Sequence, residues 1–174
     1  MNELARRYAE ALYDLSPDEE SLRATAQAMM ADAALWESLR SPAVQAWEKK
    51  RILARLPGLK DHGLLLRFYG LLAEKGRMAL LPDILEAFHD QALARRGAAR
   101  CRLSCVRVPG EEEQEKLRQA LCRLHHKQNV EFDVRIDPSL LGGFTLEIEG
   151  VTYDKSVRGA LAGLTRQLEE RRMA

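Results

Sequence analysis

The chain has 174 residues, of which 46% are hydrophobic and 30% are charged, a composition typical of a globular protein that buries a core. The formal net charge of +1 provides no overall basic field of the kind that nucleic-acid-binding domains present. The most apolar run, GLLLRFYGLL, is interrupted by Arg67 and is much shorter than the roughly 20 residues of a membrane-spanning helix. Composition and charge therefore favour neither nucleic-acid binding nor insertion into a membrane.

Two features of the sequence concern the location of the protein. The N-terminus begins directly with a charged amphipathic pattern, so we expect no secretory signal. The three cysteines are an odd number, which favours reduced thiols and a cytosolic protein.

The first half of the sequence has helical periodicity. The stretch NELARRYAEALYDL predicts a first helix with one apolar face, formed by Leu4, Tyr8, Ala11, Leu12 and Leu15. A second helix is predicted to start at Ser16 and a fourth at Ser41, because each serine is followed by proline, which suits the first helical position. The small residues Ala5, Ala9 and Ala11 are expected to permit close approach of a partner helix.

A fifth helix is predicted from Asp61 to Lys75, and Gly76 is expected to end it in the left-handed conformation. This helix is apolar on more than one side, which indicates either the central helix of a bundle or a surface that receives a partner helix. A sixth helix is predicted to stop near Gly97.

The period then changes to two, which predicts strands. Alternation in ARCRLSCVRV, in VEFDVRI and after Gly142-Gly143 predicts a small sheet. In the second of these strands, Val130, Phe132, Val134 and Ile136 are expected to point inward. One helix, EEEQEKLRQALCRLHHK, lies between strands, and a last helix is predicted around Val157, Leu161, Leu164 and Leu168. The predicted fold class is α+β, with an N-terminal six-helix bundle at 1–96 and a small α/β domain at 97–174 that has a mixed sheet and two helices.

No catalytic constellation is predicted. Gly142-Gly143 precedes a strand rather than a helix, so we interpret the pair as a turn or bulge and not as a phosphate-binding loop. Asp154 and Ser156 are better explained as caps of the last helix than as hydrolase residues.

Two binding functions remain as alternatives. A zinc site is conceivable from Cys122, His125 and His126, with Cys101 or Cys105 as a further ligand. A nucleic-acid site is conceivable from Arg95, Arg96, Arg100 and Arg102. Neither group has a spacing that is typical of such a site, and we expect no cofactor, no metal and no bound nucleic acid.

Three stretches together resemble a known family. ARRYAEALYDL, LLAEKGRMALLPDILEAF and DPSLLGGFTLEIEGVTYDKSVRGAL are similar to the first helix, the junction of the fifth and sixth helices, and the C-terminal motif of the delta subunit of bacterial F-type ATP synthases. This family is related to the mitochondrial oligomycin-sensitivity-conferring protein. The resemblance implies a non-catalytic stator subunit that links the catalytic head to the peripheral stalk.

The resemblance also implies partners and a site. The N-terminal helix of an alpha subunit is expected in a groove between the first and fifth helices, and the end of the b subunit is expected at the C-terminal domain. The implied groove residues are Tyr8, Ala11, Leu12, Leu64, Arg67, Phe68 and Leu71. One copy per complex, a monomer in isolation, and a peripheral location at the cytoplasmic face of the bacterial plasma membrane complete the expectation.

Overall fold

The structure is a computed structural model that describes residues 2–60 and 62–157. It divides into two compact units, and the division in the chain falls between Ala92 and Leu93. Among the described residues there are seven α helices and one four-stranded mixed sheet, so the α+β class is confirmed. The last predicted helix lies, apart from Val157, outside the described residues.

The helices that precede the sheet have the following bounds: α1 Glu3–Leu15, α2 Glu19–Ala31, α3 Ala33–Arg40, α4 Ala46–Leu53, α5 Gly63–Glu74 and α6 Leu81–Arg95. The predicted end of α5 is confirmed, because Gly76 has a φ of 63°. The Gly76 N–H donates to the Ala73 carbonyl at 3.1 Å and the Arg77 N–H donates to the Leu72 carbonyl at 2.7 Å, the pair of bonds of a Schellman motif.

Both predicted serine caps are wrong. Ser16 stays extended at the end of α1, and Asp18 caps α2 by accepting from the Ser21 N–H at 3.0 Å. Ser41 likewise stays extended after α3, and α4 begins at Ala46 with Gln45 as its N-cap. In each case the serine is the C-cap of the preceding helix. The N-cap of the next helix is therefore a later residue.

The core of the first unit is formed mainly by α1, α2, α5 and α6. On α1 the buried residues are Ala5, Ala9 and Leu12. The expectation that Ala5 and Ala9 would admit a partner helix is therefore wrong, because their small side chains let α1 pack closely on its own core. Tyr69 and Phe88 are the largest fully buried side chains.

The sheet of the second unit has the strand order β2-β1-β3-β4, with β1 Ala98–Cys105, β2 Asn129–Ile136, β3 Gly143–Ile148 and β4 Val151–Ser156. Helix α7, Glu111–His125, connects β1 to β2, which are parallel, and the other pairs are antiparallel. The inward orientation of Val130 is confirmed, but Ile136 is 65% exposed. Ile136 ends an edge strand, where a neighbouring strand is present on one side only.

The glycine pair shapes the start of β3, as predicted. Gly143 has a φ of 75°, and a Cβ there would lie 2.9 Å from the Ser156 Cα atom on β4. Leu141 and Gly142 also have positive φ, so the chain reverses sharply before the strand. The Gly142 carbonyl accepts from the Val157 N–H at 3.0 Å. Both sides of this loop are thus occupied by the protein's own backbone.

Candidate partner-binding surface

Helix α1 carries a second apolar stripe beside its core face. Leu4, Tyr8, Ala11 and Leu15 follow each other at intervals of four, three and four residues, the spacing of a seam that packs against another helix. Leu4 and Tyr8 are half-buried, Ala11 is exposed, and Leu15 is 71% exposed. The described part of the first unit therefore covers the start of this seam only partly and leaves Ala11 and Leu15 exposed.

Helix α5 presents a matching series. Leu64, Phe68 and Leu71 have the same four-and-three spacing. Leu64 is half-buried, Phe68 is buried, and Leu71 is 40% exposed. The adjacent face of the helix, with Tyr69 and Leu72, is fully buried. Helix α5 is thus both a central core helix and a surface helix, so the two interpretations of its excess apolar surface apply to different faces.

The two seams meet at Tyr8 and Phe68. Their ring centroids lie 6.3 Å apart with an interplanar angle of 73°, an edge-to-face arrangement. The Arg77 Nη1 atom donates to the Tyr8 hydroxyl at 2.7 Å, and the guanidinium carbon lies 5.8 Å from the ring centroid. Arg77 therefore fixes the orientation of Tyr8. The sequence offered no periodic signal for this residue, which lies in the turn after α5.

The groove between α1 and α5 has a distinct end. A cavity of about 230 Å³ lies where the C-terminal end of α1 meets the N-terminal end of α5. Leu12 and Leu65 are its buried floor, and Leu64 and His62 line its side. A large apolar side chain at one end of a docked helix would fit this cavity.

The predicted groove residues do not all lie on one side of α5. Four of them lie where α1 and α5 face each other: Tyr8 and Leu12 on α1, and Leu64 and Phe68 on α5. Arg67 and Leu71 line a different groove, between α4 and α5. Arg67 is exposed, and its Nε atom donates to the Gly63 carbonyl at 3.3 Å. These two residues form the ridge that separates the two grooves.

The residues of the zinc alternative have other contacts. The Nε2 atom of His125 lies 3.1 Å from the Tyr153 hydroxyl, and its Nδ1 atom lies 3.5 Å from Glu149 Oε2. Burial raises the pKa of the Cys101 thiol to about 11 and also raises the pKa of Cys105, which disfavours the thiolate that binds metal. Within residues 2–60 and 62–157, no group of three or more His, Cys, Asp or Glu side chains could hold a metal ion.

The arginines of the nucleic-acid alternative lie around the start of the sheet. Arg102 Nη1 is 3.6 Å from Glu147 Oε2 on the neighbouring strand, and Arg95 and Arg100 also have interaction partners. A bound polyanion would compete with these contacts.

None of the helices that the structure describes has both the length and the apolar character required to cross a membrane.

Comparison with known proteins gives a consistent result over almost the whole chain. The sequence model of the family described as ATP synthase delta (OSCP) subunit matches residues 4–168. The ATP synthase subunit delta of Myxococcus xanthus is 31% identical, covering 97% of this chain and 97% of that protein. The ATP synthase subunit delta of Rhodospirillum centenum is 33% identical, covering 92% and 90% respectively.

A chain in the cryo-EM structure of the Toxoplasma gondii mitochondrial ATP synthase hexamer has a similar fold. The TM-score is 0.70 with 20% sequence identity, and the match covers 96% of this chain and 98% of that chain. At this identity the similarity concerns the fold.

Proposed function

This chain belongs to the ATP synthase delta (OSCP) subunit family, and we propose that it is a non-catalytic stator subunit of a proton-translocating F-type ATP synthase. In this role it joins the alpha/beta catalytic head to the b-subunit peripheral stalk, so that the head resists the torque of the rotor. It is peripheral to the cytoplasmic face of the bacterial plasma membrane through the complex, with one copy per complex and a monomer in isolation.

We propose further that the groove between α1 and α5 binds the N-terminal helix of an alpha subunit. The observation that carries this proposal is the partly exposed seam on α1, Leu4, Tyr8, Ala11 and Leu15, beside the Leu64-Phe68-Leu71 series on α5. Two adjacent seams with helix-packing intervals can receive the apolar face of a third helix. Arg67 and Leu71, at the α5 edge of the groove, would contact the side of the docked helix that faces away from α1.

In this proposal each of the two units binds a different partner. The helical part, 1–96, binds the head, and the α/β part, 97–174, binds the end of the b subunit. The function requires slow dissociation, because the rotor loads the joint repeatedly. Burial of apolar area in a groove supports a low dissociation rate, and a charge such as Arg67 fixes register.

Calorimetric titration with a synthetic peptide of the alpha subunit's N-terminal segment tests the groove. We expect saturable one-to-one binding with a negative heat-capacity change. Leu15→Asp and Leu64→Asp are expected to weaken binding by at least about 10-fold, because each places a charge in an apolar contact. Leu124→Asp is the matched control, since Leu124 is 60% exposed near the end of α7 in the other unit.

Two results would count against the groove. One is the absence of binding by folded wild-type protein, which would direct attention to the α/β unit. The other is equal weakening by Leu124→Asp, which would show that the added negative charge, and not its position in the groove, explains the effect. Circular dichroism of each variant checks that it is folded.

A further inference from the structure

A second groove lies on the other side of α5, between α4 and α5. It has a volume of about 470 Å³ and is lined by eight residues, which are Lys50, Leu53, Ala54, Leu66, Arg67, Gly70, Leu71 and Glu74. Only the two ridge residues Arg67 and Leu71 are shared with the groove proposed for the alpha subunit. The α4 side of this groove has no counterpart in that proposal.

The floor of the groove is apolar because Leu53, Leu66 and Leu71 line it, and at Gly70 α5 adds no side chain. A glycine within a helix costs about 1 kcal/mol relative to alanine, and here it leaves a depression between Leu66 and Glu74 on the helix surface. The Lys50 stem crosses this position, since its Cε atom would lie 3.5 Å from a Cβ at residue 70. The Lys50 ammonium forms an ion pair with Glu74.

The charged lining residues of the groove carry one net positive charge, because the Lys50 charge is balanced by Glu74. Arg67 lies on the α5 side, and Lys50 lies on the α4 side. Glu74 is the single carboxylate among the lining residues, and it is paired with Lys50. Arg51, next to Lys50 on α4, lies with its guanidinium carbon 5.6 Å from the centroid of the Trp47 ring, which adds both positive charge and aromatic surface near the groove.

Trp47 extends the apolar surface along α4. It is 56% exposed and precedes Lys50 and Ala54 by three and seven residues, so the three share a helix face. On α5, the lining residues from Leu66 to Glu74 cover about two turns, or roughly 12 Å. This length matches two turns of a docked helix that has apolar residues at positions i, i+3 or i+4, and i+7.

We propose that the groove between α4 and α5 is a second helix-docking site, and that its occupant is an amphipathic helix whose apolar stripe is flanked by acidic residues. The apolar floor selects the stripe, and Arg67 on the rim, together with Arg51 beside Trp47, selects the acidic flanks. The site shares Arg67 and Leu71 with the groove proposed between α1 and α5, but its α4 side, with Lys50, Leu53 and Ala54, belongs to this site alone.

The test uses two designed 16-residue peptides and the full-length protein. Both peptides have the same leucine stripe, and the flanking positions are glutamate in one and lysine in the other. Binding is measured by fluorescence anisotropy at low salt and by Trp47 emission in a Trp36→Phe background. We expect the glutamate peptide to bind roughly 10-fold or more tightly than the lysine peptide, with a difference that shrinks as salt is added.

Charge variants at Ala54 locate the site. Ala54 is exposed at the end of α4 and lines this groove only. Ala54→Glu is expected to weaken binding of the glutamate peptide by roughly 10-fold, and Ala54→Lys is expected to retain or increase it. Leu15→Asp, in the other groove, is expected to leave this binding unchanged.

Three outcomes would overturn the proposal: equal binding of the two peptides, no effect of Ala54→Glu, or loss of binding in Leu15→Asp. The last outcome would mean that the peptide occupies the groove between α1 and α5. Failure of the alpha-subunit peptide to bind, with the glutamate peptide still sensitive to Ala54→Glu, would reject the first groove and leave the second in place.

Discussion

The hydroxyl groups of Tyr69 and Thr25 lie 2.8 Å apart in the core of the helical unit and join α5 to α2. Tyr69 is fully buried, and its hydroxyl also donates to the Leu22 carbonyl at 3.2 Å. The Thr25 hydroxyl in turn lies 2.7 Å from the Ser21 carbonyl. A buried polar network of this kind is favourable only while each group has a partner.

Tyr69→Phe is expected to lower the free energy of unfolding at pH 7 by about 1 kcal/mol, the usual net value of such a hydrogen bond. Thr25 keeps its backbone acceptors in the variant, so no buried hydroxyl loses all its partners. Urea unfolding of the two proteins measures the difference. Tyr13→Phe, a half-buried tyrosine beside Phe88, provides a comparison with a less buried ring. Equal stability of Tyr69→Phe and wild type would contradict a contribution from the network.

The same residue predicts a response to alkaline pH. Burial raises the pKa of Tyr69 to about 12, and the hydrogen bond from Thr25 acts in the opposite direction. Because the folded state favours the neutral phenol, the unfolded chain ionises first, from about pH 10. The stabilisation is therefore complete below pH 10 and is lost as pH rises to 12. The stability advantage of wild type over Tyr69→Phe should shrink across this interval, and a constant difference would contradict the assignment.

Gly143 is expected to be intolerant of any side chain. In addition to its positive φ, a Cβ would collide with the Lys155 carbonyl oxygen and lie 2.9 Å from the Ser156 Cα atom, both of which are backbone atoms that cannot rotate away. Gly150 provides the matched control, since its φ is 81° but no atom lies within 4 Å of a Cβ placed there. We expect Gly150→Ala to cost about 1 kcal/mol, as backbone strain alone does.

Gly143→Ala should cost at least about 3 kcal/mol, because strain and displacement of β4 add together. Thermal unfolding followed by circular dichroism compares the two variants. Similar melting temperatures for Gly143→Ala and Gly150→Ala would show that the contact with β4 relaxes without cost.

Asp18, and not Ser16, is expected to be the stabilising cap of α2. Asp18→Ala should lower the free energy of unfolding by about 1 kcal/mol, and Ser16→Ala should change it by less than about half of that. Hydrogen bonding from the Ser21 side chain, and then from its backbone, lowers the pKa of Asp18 below 3.8. The carboxylate's contribution is therefore present above pH 3.8 and disappears as the pH falls through the lower folded pKa. If Ser16→Ala lowered the free energy of unfolding more than Asp18→Ala, Ser16 and not Asp18 would be the stabilising cap.

The caps show what local sequence patterns leave undecided. The sequence SPDE contains two acceptable N-caps two residues apart, and the choice depends on how α1 ends. The core faces show the same limit on a larger scale. Helix α1 has apolar residues at both 5-9-12 and 4-8-11-15, and periodicity predicts the helix equally well with either face inward. Burial in the core of the helical unit selects the face with the small alanines.

The strands were predicted more successfully than the helix caps and helix core faces. Alternation with period two also determines which face of the sheet each side chain lies on. The turn between β3 and β4 has positive φ values at both Glu149 and Gly150. What alternation cannot supply is the strand order, and hence the exposure of Ile136 at the end of edge strand β2. The resemblance to a family supplied the predicted groove residues, and periodicity cannot tell that two of them, Arg67 and Leu71, line a groove between α4 and α5.

Arg77 is expected to be a positioning residue for the groove between α1 and α5. It donates a hydrogen bond to the Tyr8 hydroxyl and lies over the Tyr8 ring, while Tyr8 packs edge-to-face on Phe68. Arg77→Met keeps an aliphatic stem in the turn after α5 but removes both polar contacts. We expect it to weaken binding of the alpha-subunit peptide roughly 5-fold, which corresponds to the loss of about 1 kcal/mol of ordering at Tyr8.

Tyr8→Phe separates the hydroxyl from the ring. If Arg77 acts through Tyr8, the double variant should bind no more weakly than Arg77→Met alone, because the two substitutions remove the same interaction. Arg23→Met is the control, since Arg23 pairs with Glu19 on α2 and does not contact Tyr8. Additive effects of Tyr8→Phe and Arg77→Met would mean that Arg77 contacts the peptide itself, and unchanged affinity in Arg77→Met would mean that packing on Phe68 alone holds the ring.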